Sequence, residues 1–313
     1  MLEVQLTEGE DFVKKYTKNK KYIILTSVTK EFSEMTYNWY LSLKKLNLHK
    51  SALAVALDYE CYQQLKKYNI PCVFLDAGIS SNNTGKEWIE NEKSAKLLSL
   101  FYLYKNYSFD IIMADVDIFF LKNPLLKLDE ILKKECFNVI VMSDKPFVPF
   151  NAKRKFRQEI VIDNTNKSDV YDFGIQPQYQ YGCENGGFCY IMNKSGALAY
   201  NYNENNIRNT VLNYLNVFFK NSDYYNKFPR QEEAGNLQTI SNYRLKELDI
   251  NVKVLDCYEF VNGSMWKIDY IKTKIQDTCY LVHYNFSEFM SPLLVREDKK
   301  TRMKASGHWL IKS

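Results

Sequence analysis

The sequence predicts an α/β protein: a mostly parallel central sheet flanked by helices, with a smaller mixed region beside it. Three observations carry this reading. Short β-rich runs alternate with stretches of helical spacing through the first 143 residues, the pattern of parallel strands joined by crossover helices. The segment from Phe109 to Pro124 is apolar on both sides of Asp115-Val116-Asp117, as suits a strand buried on both faces. Small hydroxyl or acidic residues (Thr26, Ser27, Asp58, Asp76, Asp115) end the predicted strands, where such sheets bind ligands.

Lys20 to Thr29 reads as a strand and Phe32 to Leu46 as a helix. Ser51 to Leu57 is a second buried strand, succeeded by a helix from Tyr59 to Tyr68 and a third strand from Pro71 to Leu75. A long helix, Glu87 to Tyr107, carries Lys93 and Lys96 and leads into the Asp115 strand. Leu125 to Lys134 is helical and Phe137 to Met142 is a fifth strand. Regularity then loosens: residues 144–180 hold three prolines and a basic cluster, Lys153 to Lys155 with Arg157, most simply a solvated face. Gly186-Gly187 precedes a strand, Phe188 to Met192. Helices are expected over Asn206 to Lys220 and Arg230 to Leu248, and a strand over Cys279 to His283. A polar tail runs to Trp309, read either as a lid or as a surface helix with Met303 and Trp309 facing inward.

Most Asp-x-Asp triplets are solvated turns or helix caps. Here the flanks, Ile111 to Ala114 and Ile118 to Leu121, argue for a buried setting. Two carboxylates there need compensation, because an unpaired buried charge is strongly disfavoured. A divalent cation held by oxygen ligands, with positions left for phosphate, supplies it. His283 closes the apolar strand CYLVH. A lone His in such a place is more often a core or turn residue, but beside Asp115 and Asp117 it completes a nitrogen–oxygen set suited to Mn²⁺, with Mg²⁺ the alternative.

Composition bounds the rest. The 313 residues carry 42 Lys and Arg against 37 Asp and Glu, a formal charge of +5. That suits a phosphate-bearing small ligand and is too weak to argue for nucleic acid. Seven cysteines show no C-x-x-C spacing and read as reduced thiols, so a soluble, cytoplasmic protein without a transmembrane segment is expected. Glycine-rich phosphate loops are absent from the sequence, which counts against a dinucleotide dehydrogenase or a P-loop kinase.

A set of short motifs in fixed order adds to this reading: the lysine-bearing helix at Lys93; DVDIFFLKNP; Asn185-Gly186-Gly187-Phe188; QEEAGN from Gln231; Leu255-Asp256 with Phe260-Val261-Asn262-Gly263; and His283-Tyr284-Asn285 with Lys299, Lys300 and Gly307-His308-Trp309 downstream. In these the chain resembles the nucleotide-diphospho-sugar transferases, the group around glycosyltransferase family 77, over roughly residues 86–310. The resemblance implies a glycosyltransferase A fold, a nucleotide-sugar donor (UDP-linked), a divalent metal, a glycan or glycoconjugate acceptor and retention of anomeric configuration. It implies metal ligation by Asp115, Asp117 and His283, and donor contacts from Lys93, Lys96, Asp115, Lys299 and Lys300; Thr26 and Ser27 join the expected donor contacts by their place at the end of the first strand. It gives Asn185, Glu232 and Glu233 to the reacting sugar, although Glu232 and Glu233 also suit a helix N-terminus. Gln231 and Glu232 stand exchanged relative to the family order, and 144–180 matches no family segment. A single domain is expected, with 1–143 as its nucleotide-binding half and 144–313 as acceptor side and C-terminal lid. The rival readings are a nucleotidyltransferase and a non-catalytic sugar- or partner-binding module on the same fold.

Overall fold

The computed structural model describes residues 9–76, 96, 99–100, 102–103, 106–134, 137, 139–143, 184–192, 252–256, 258–266, 275–285 and 292–312. The basic cluster at 153–157, the expected helices over 206–220 and 230–248, and Lys93, Glu232 and Glu233 lie outside them.

A seven-stranded sheet forms the centre. Its strands are β1 (Tyr22–Val28), β2 (Ala52–Ala56), β3 (Cys72–Phe74), β4 (Asp110–Ala114), β6 (Val139–Ser143), β7 (Glu184–Ile191) and β8 (Val252–Val254). Their order is β3-β2-β1-β4-β7-β6-β8, with β7 antiparallel to both neighbours and the other pairings parallel. A second sheet of three strands, β5 (Ile118–Phe120), β9 (Phe260–Asn262) and β10 (Leu281–His283), has the order β5-β10-β9 and is mixed. No strands were expected at β8 and β9: runs of three residues are too short to carry a period.

The apolar residues beyond Asp117 form a separate strand, β5, in the other sheet, which was not expected; the strand expected to end at Asp115 is β4. Its residues alternate as a doubly buried strand should: Ile111 and Met113 enter one core layer, Ile112 and Ala114 another. After Ala114 the chain turns, and Ile118 and Phe120 rejoin that second layer from the small sheet. An apolar run reports burial, and here it is buried on both sides of a sheet-to-sheet crossing.

Helices cover the faces. In α2 (Ser33–Lys45), Met35, Trp39 and Leu43 recur at four-residue spacing and are fully buried. α1 (Glu10–Thr17) and α3 (Tyr59–Lys67) bury Val13 and the Cys61–Leu65 pair in the same way. Asn19, Asn47 and Asn69, just beyond these three helices, take positive φ, the left-handed stop that asparagine tolerates best after glycine. α4 (Pro124–Lys134) begins after the Asn123 side chain accepts the Leu125 N–H. A one-turn helix, α5 (Gly263–Trp266), comes directly after β9.

The polar tail forms α6 (Pro292–Ala305), with Val295 and Met303 buried. Gly307, at φ 71°, ends it and turns the chain back. Buried Asn38 of α2 pins the segment beyond this turn: its amide donates to the His308 carbonyl (2.9 Å) and its oxygen accepts the Leu310 N–H (2.7 Å). His308 stacks on Phe119 with ring centroids 4.3 Å apart and meets the Tyr284 hydroxyl at 2.7 Å. No helix among the described residues is long and apolar enough to cross a membrane.

Replacing Asn38 by Ala orphans a part-buried N–H and a buried carbonyl. The expected loss is about 2 kcal/mol, the usual penalty for unpaired buried polar groups. It reads as a lower urea midpoint with unchanged slope. Lys300→Ala, which removes a part-buried ion pair with Glu34 at the protein surface, should change the stability by less than about 1 kcal/mol.

Candidate metal centre

The site lies where the two sheets meet. Past β4, the Asp115 N–H donates to the Gly187 carbonyl of β7 (2.8 Å), extending the large sheet's ladder by one residue. The Ile118 N–H returns to the Asp115 carbonyl (3.1 Å), closing a tight turn. The Asp117 carbonyl accepts the Tyr284 N–H (2.9 Å), just beyond β10. His283, the last residue of β10, pairs with Ile118 across the small sheet. Two carboxylates and one imidazole therefore converge from elements far apart in the chain.

Ligand atoms of Asp115, Asp117 and His283 all lie within 4.8 Å of one another. His283 Nε2 is 3.2 Å from Asp117 Oδ1 and 3.6 Å from Asp115 Oδ2. The Asp117 and His283 side chains are each 5% exposed, whereas that of Asp115 is 31% exposed, so Asp115 marks the open side. His283 Nδ1 is buried with no hydrogen-bond partner among the described residues. The donor set, two carboxylate oxygens and one imidazole nitrogen at an accessible edge, fits a divalent ion that accepts both atom types.

Two lysines face the same carboxylates. Lys96 pairs with Asp115, and Lys299 of α6 reaches Asp117 at 2.6 Å. Burial pushes the Asp117 carboxyl up, but the charges of Lys299 and His283 and their hydrogen bonds outweigh it and hold the group well below its ordinary value of 3.8. Lys300, the next residue, turns away to Glu34 (2.7 Å) and sits over the Trp309 ring.

The other residues expected at the site occupy varied places. Thr26 is buried in β1. The Ser27 hydroxyl meets that of Ser99 at 2.9 Å, and Lys96 and Ser99, three apart on helical backbone, reach Asp115 and Ser27 respectively. Asp58 caps α3, accepting the Cys61 N–H (2.7 Å) as well as the Lys30 N–H (2.8 Å), which gives it a structural task. Asn185 lies on β7 two residues before Gly187; its side chain is outside the described set. Sequence reasoning assigned no role to Gly187 beyond its motif. A Cβ built there would overlap Cε1 and Nδ1 of His283 and stand 2.7 Å from Nε2.

The architecture is α/β, with a mostly parallel sheet, one reversed strand beside the acidic turn, and a small mixed sheet, as the fold class read from the sequence requires. The sequence profile described as nucleotide-diphospho-sugar transferase matches residues 47–291, more than half of the chain, and the chain belongs to that family; it is a glycosyltransferase. Among solved structures, it is similar to the galactosyltransferase LgtC in complex with donor and acceptor sugar analogs (11% identity, 93% of this chain and 97% of that one, TM-score 0.48). It is also similar to mouse xyloside xylosyltransferase 1 in its apo form (12%, 84% and 97%, TM-score 0.45). GlyE of Streptococcus pneumoniae matches over 94% of this chain and 61% of its own length, at 13% identity and TM-score 0.45. The family assignment rests on the profile and not on these distant likenesses. No curated protein matches by sequence.

The depressed Asp117 value predicts a pH dependence. Because the folded value lies below the unfolded one, the charged carboxylate contributes stability that is full above the unfolded value of 3.8 and is lost as pH falls toward the folded value. The stability gap between the wild type and Asp117→Asn, read from urea midpoints between about pH 6 and pH 3, should be widest and flat at the upper end and begin to narrow below the unfolded value, closing only below the folded one.

Proposed function

We propose that the chain is a divalent-metal-dependent, retaining glycosyltransferase, moving a sugar from a UDP-linked donor to a glycan or glycoconjugate acceptor. The convergence of Asp115, Asp117 and His283 carries the reading. These three would hold the ion, and the imidazole favours Mn²⁺ over Mg²⁺. When bound, the ion supplies charge stabilisation to the departing diphosphate.

The chain's own residues do the rest. Lys299, already drawn to Asp117 by α6, is the tail lysine proposed to contact the donor phosphates; Lys300 is held at Glu34. Lys96 stands at the exposed side of Asp115 and is proposed to share that task, with Lys93 one turn earlier in sequence. Ser27 and Thr26, at the end of β1 next to β4, are proposed for the nucleoside side. Asn185, Glu232 and Glu233 are proposed to orient the reacting sugar. Retention rests on the family motifs, and both same-face attack within an ion pair and double displacement through a carboxylate satisfy it.

A panel of nucleotide sugars incubated with the protein and Mn²⁺ tests the proposal through slow donor hydrolysis. One donor should release nucleoside diphosphate only with metal present. Asp117→Ala should lower that rate at least about 100-fold while its circular dichroism is retained, since even outer-shell changes reach that range. Undiminished turnover in excess chelator, or full activity of Asp117→Ala, overturns the proposal. Lys299→Ala should weaken nucleoside diphosphate binding about 10-fold, the worth of one charge-assisted hydrogen bond. Equal affinity would assign Lys299 to folding alone.

A further inference from the structure

Gly187 meets both sides of the metal centre at one backbone position. Its carbonyl accepts the Asp115 N–H at 2.8 Å. Its missing side chain is the space occupied by the His283 ring: an added Cβ would overlap Cε1 and Nδ1 and stand 2.7 Å from Nε2. Real Cβ atoms essentially never come this near, so one of the two groups must move.

The backbone on each side leaves little freedom. Gly187 continues β7, which pairs with β4 through Ala114↔Phe188 and with β6 on its other edge. His283 pairs with Ile118 of β5 and with Asn262 of β9, and the N–H of the next residue, Tyr284, is bound to the Asp117 carbonyl. Gly263 adds a second close approach, since a Cβ there would lie 3.0 Å from the His283 carbonyl and 3.2 Å from Tyr284 Cα. With both backbones held by ladders, the His283 ring is what gives way. Its Nε2 then leaves its present place, 3.2 Å and 3.6 Å from the two carboxylates. Gly187 φ is not in the positive region, so the position uses glycine for its lack of volume and not for its conformational freedom.

We infer that Gly187 is a positioning residue of the metal centre, setting the His283 imidazole by van der Waals contact and Asp115 by a backbone hydrogen bond. The inference rests on the metal reading proposed above. Gly187 acts through His283, so its signature is not a loss in one variant but the disappearance of that loss when the ring is gone.

The test is a double-mutant cycle of Gly187→Ala and His283→Ala, reading Mn²⁺ affinity by electron paramagnetic resonance of the free ion and Tm of the metal-free protein. Gly187→Ala should weaken Mn²⁺ binding about 10- to 100-fold, as outer-shell changes do, and lower Tm. In the His283→Ala background the same substitution should cause no further loss of Mn²⁺ affinity and little loss of Tm, because the Cβ now enters vacated space. If Gly187→Ala alone fails to fold, the double variant should fold. Wild-type Mn²⁺ affinity in Gly187→Ala overturns the inference, as do losses that persist unchanged in the His283→Ala background or a double variant that also fails to fold. Equal Mn²⁺ affinity in wild type and His283→Ala overturns the metal reading itself, an outcome the cycle separates from failure of Gly187 alone.

Discussion

Two backbone hydrogen bonds hold the acidic turn, and the rest of the molecule is arranged around them. One ties Asp115 to Gly187 in the large sheet; the other ties Asp117 to Tyr284 beside the small sheet. The turn is thus the seam at which two sheets share a strand run. Either sheet alone would carry half of a site: the large one an acid and a glycine, the small one an imidazole. Pairing of Ile118 with His283 sets their relative register, and a slip of one residue would put the imidazole on the opposite face.

Electrostatics explains why such a seam needs cations. Asp117 is almost wholly buried, and a lone carboxylate there would be strongly disfavoured. Lys299 and His283 both meet it, and the carboxyl is held ionised. Breaking such a buried pair from one side typically costs about 3–5 kcal/mol, whereas the more exposed Lys96–Asp115 pair belongs to a class worth about 1 kcal/mol or less. The two aspartates therefore differ in kind: Asp117 is anchored inside, and Asp115 faces whatever arrives from solvent.

Much of this was legible in the sequence because it is written in local patterns. Four-residue spacing of Met35, Trp39 and Leu43 marks α2, and alternation with helices marks β1 to β4 as parallel. The apolar frame around Asp115 and Asp117 flagged an acidic pair at the edge of the core, of which Asp117 alone is buried, and a histidine ending an apolar strand supplied a third donor. What escaped was non-local. Nothing in the run Ile111 to Leu121 says that it changes sheets, because both halves are equally buried. Strands of three residues, β8 and β9, leave no period. The closeness of Gly187 to His283 depends on a pairing between β4 and β7 and another between β5 and β10, both between segments distant in sequence; a pair of glycines before a strand hints at a close approach but names no partner. Nor does adjacency in sequence decide between Lys299 and Lys300. The helix presents one toward the acidic turn and the other toward Glu34.

The docking of α6 has a consequence for how the chain is made. Lys299 meets Asp117 across 182 residues, and Asn38 meets the Leu310 N–H across 272. A ribosome delivers the N-terminal strands long before the last helix, and domains begin to fold as they emerge. A nascent chain can pair β1, β2, β3 and β4, yet its acidic turn has neither the tail lysine nor the imidazole that will later face it. Contacts of such long sequence separation close late and slowly. Until the chain has grown from Asp117 through His283 to Lys299, the buried carboxylate of the acidic turn lacks the imidazole and the tail lysine that face it in the finished fold.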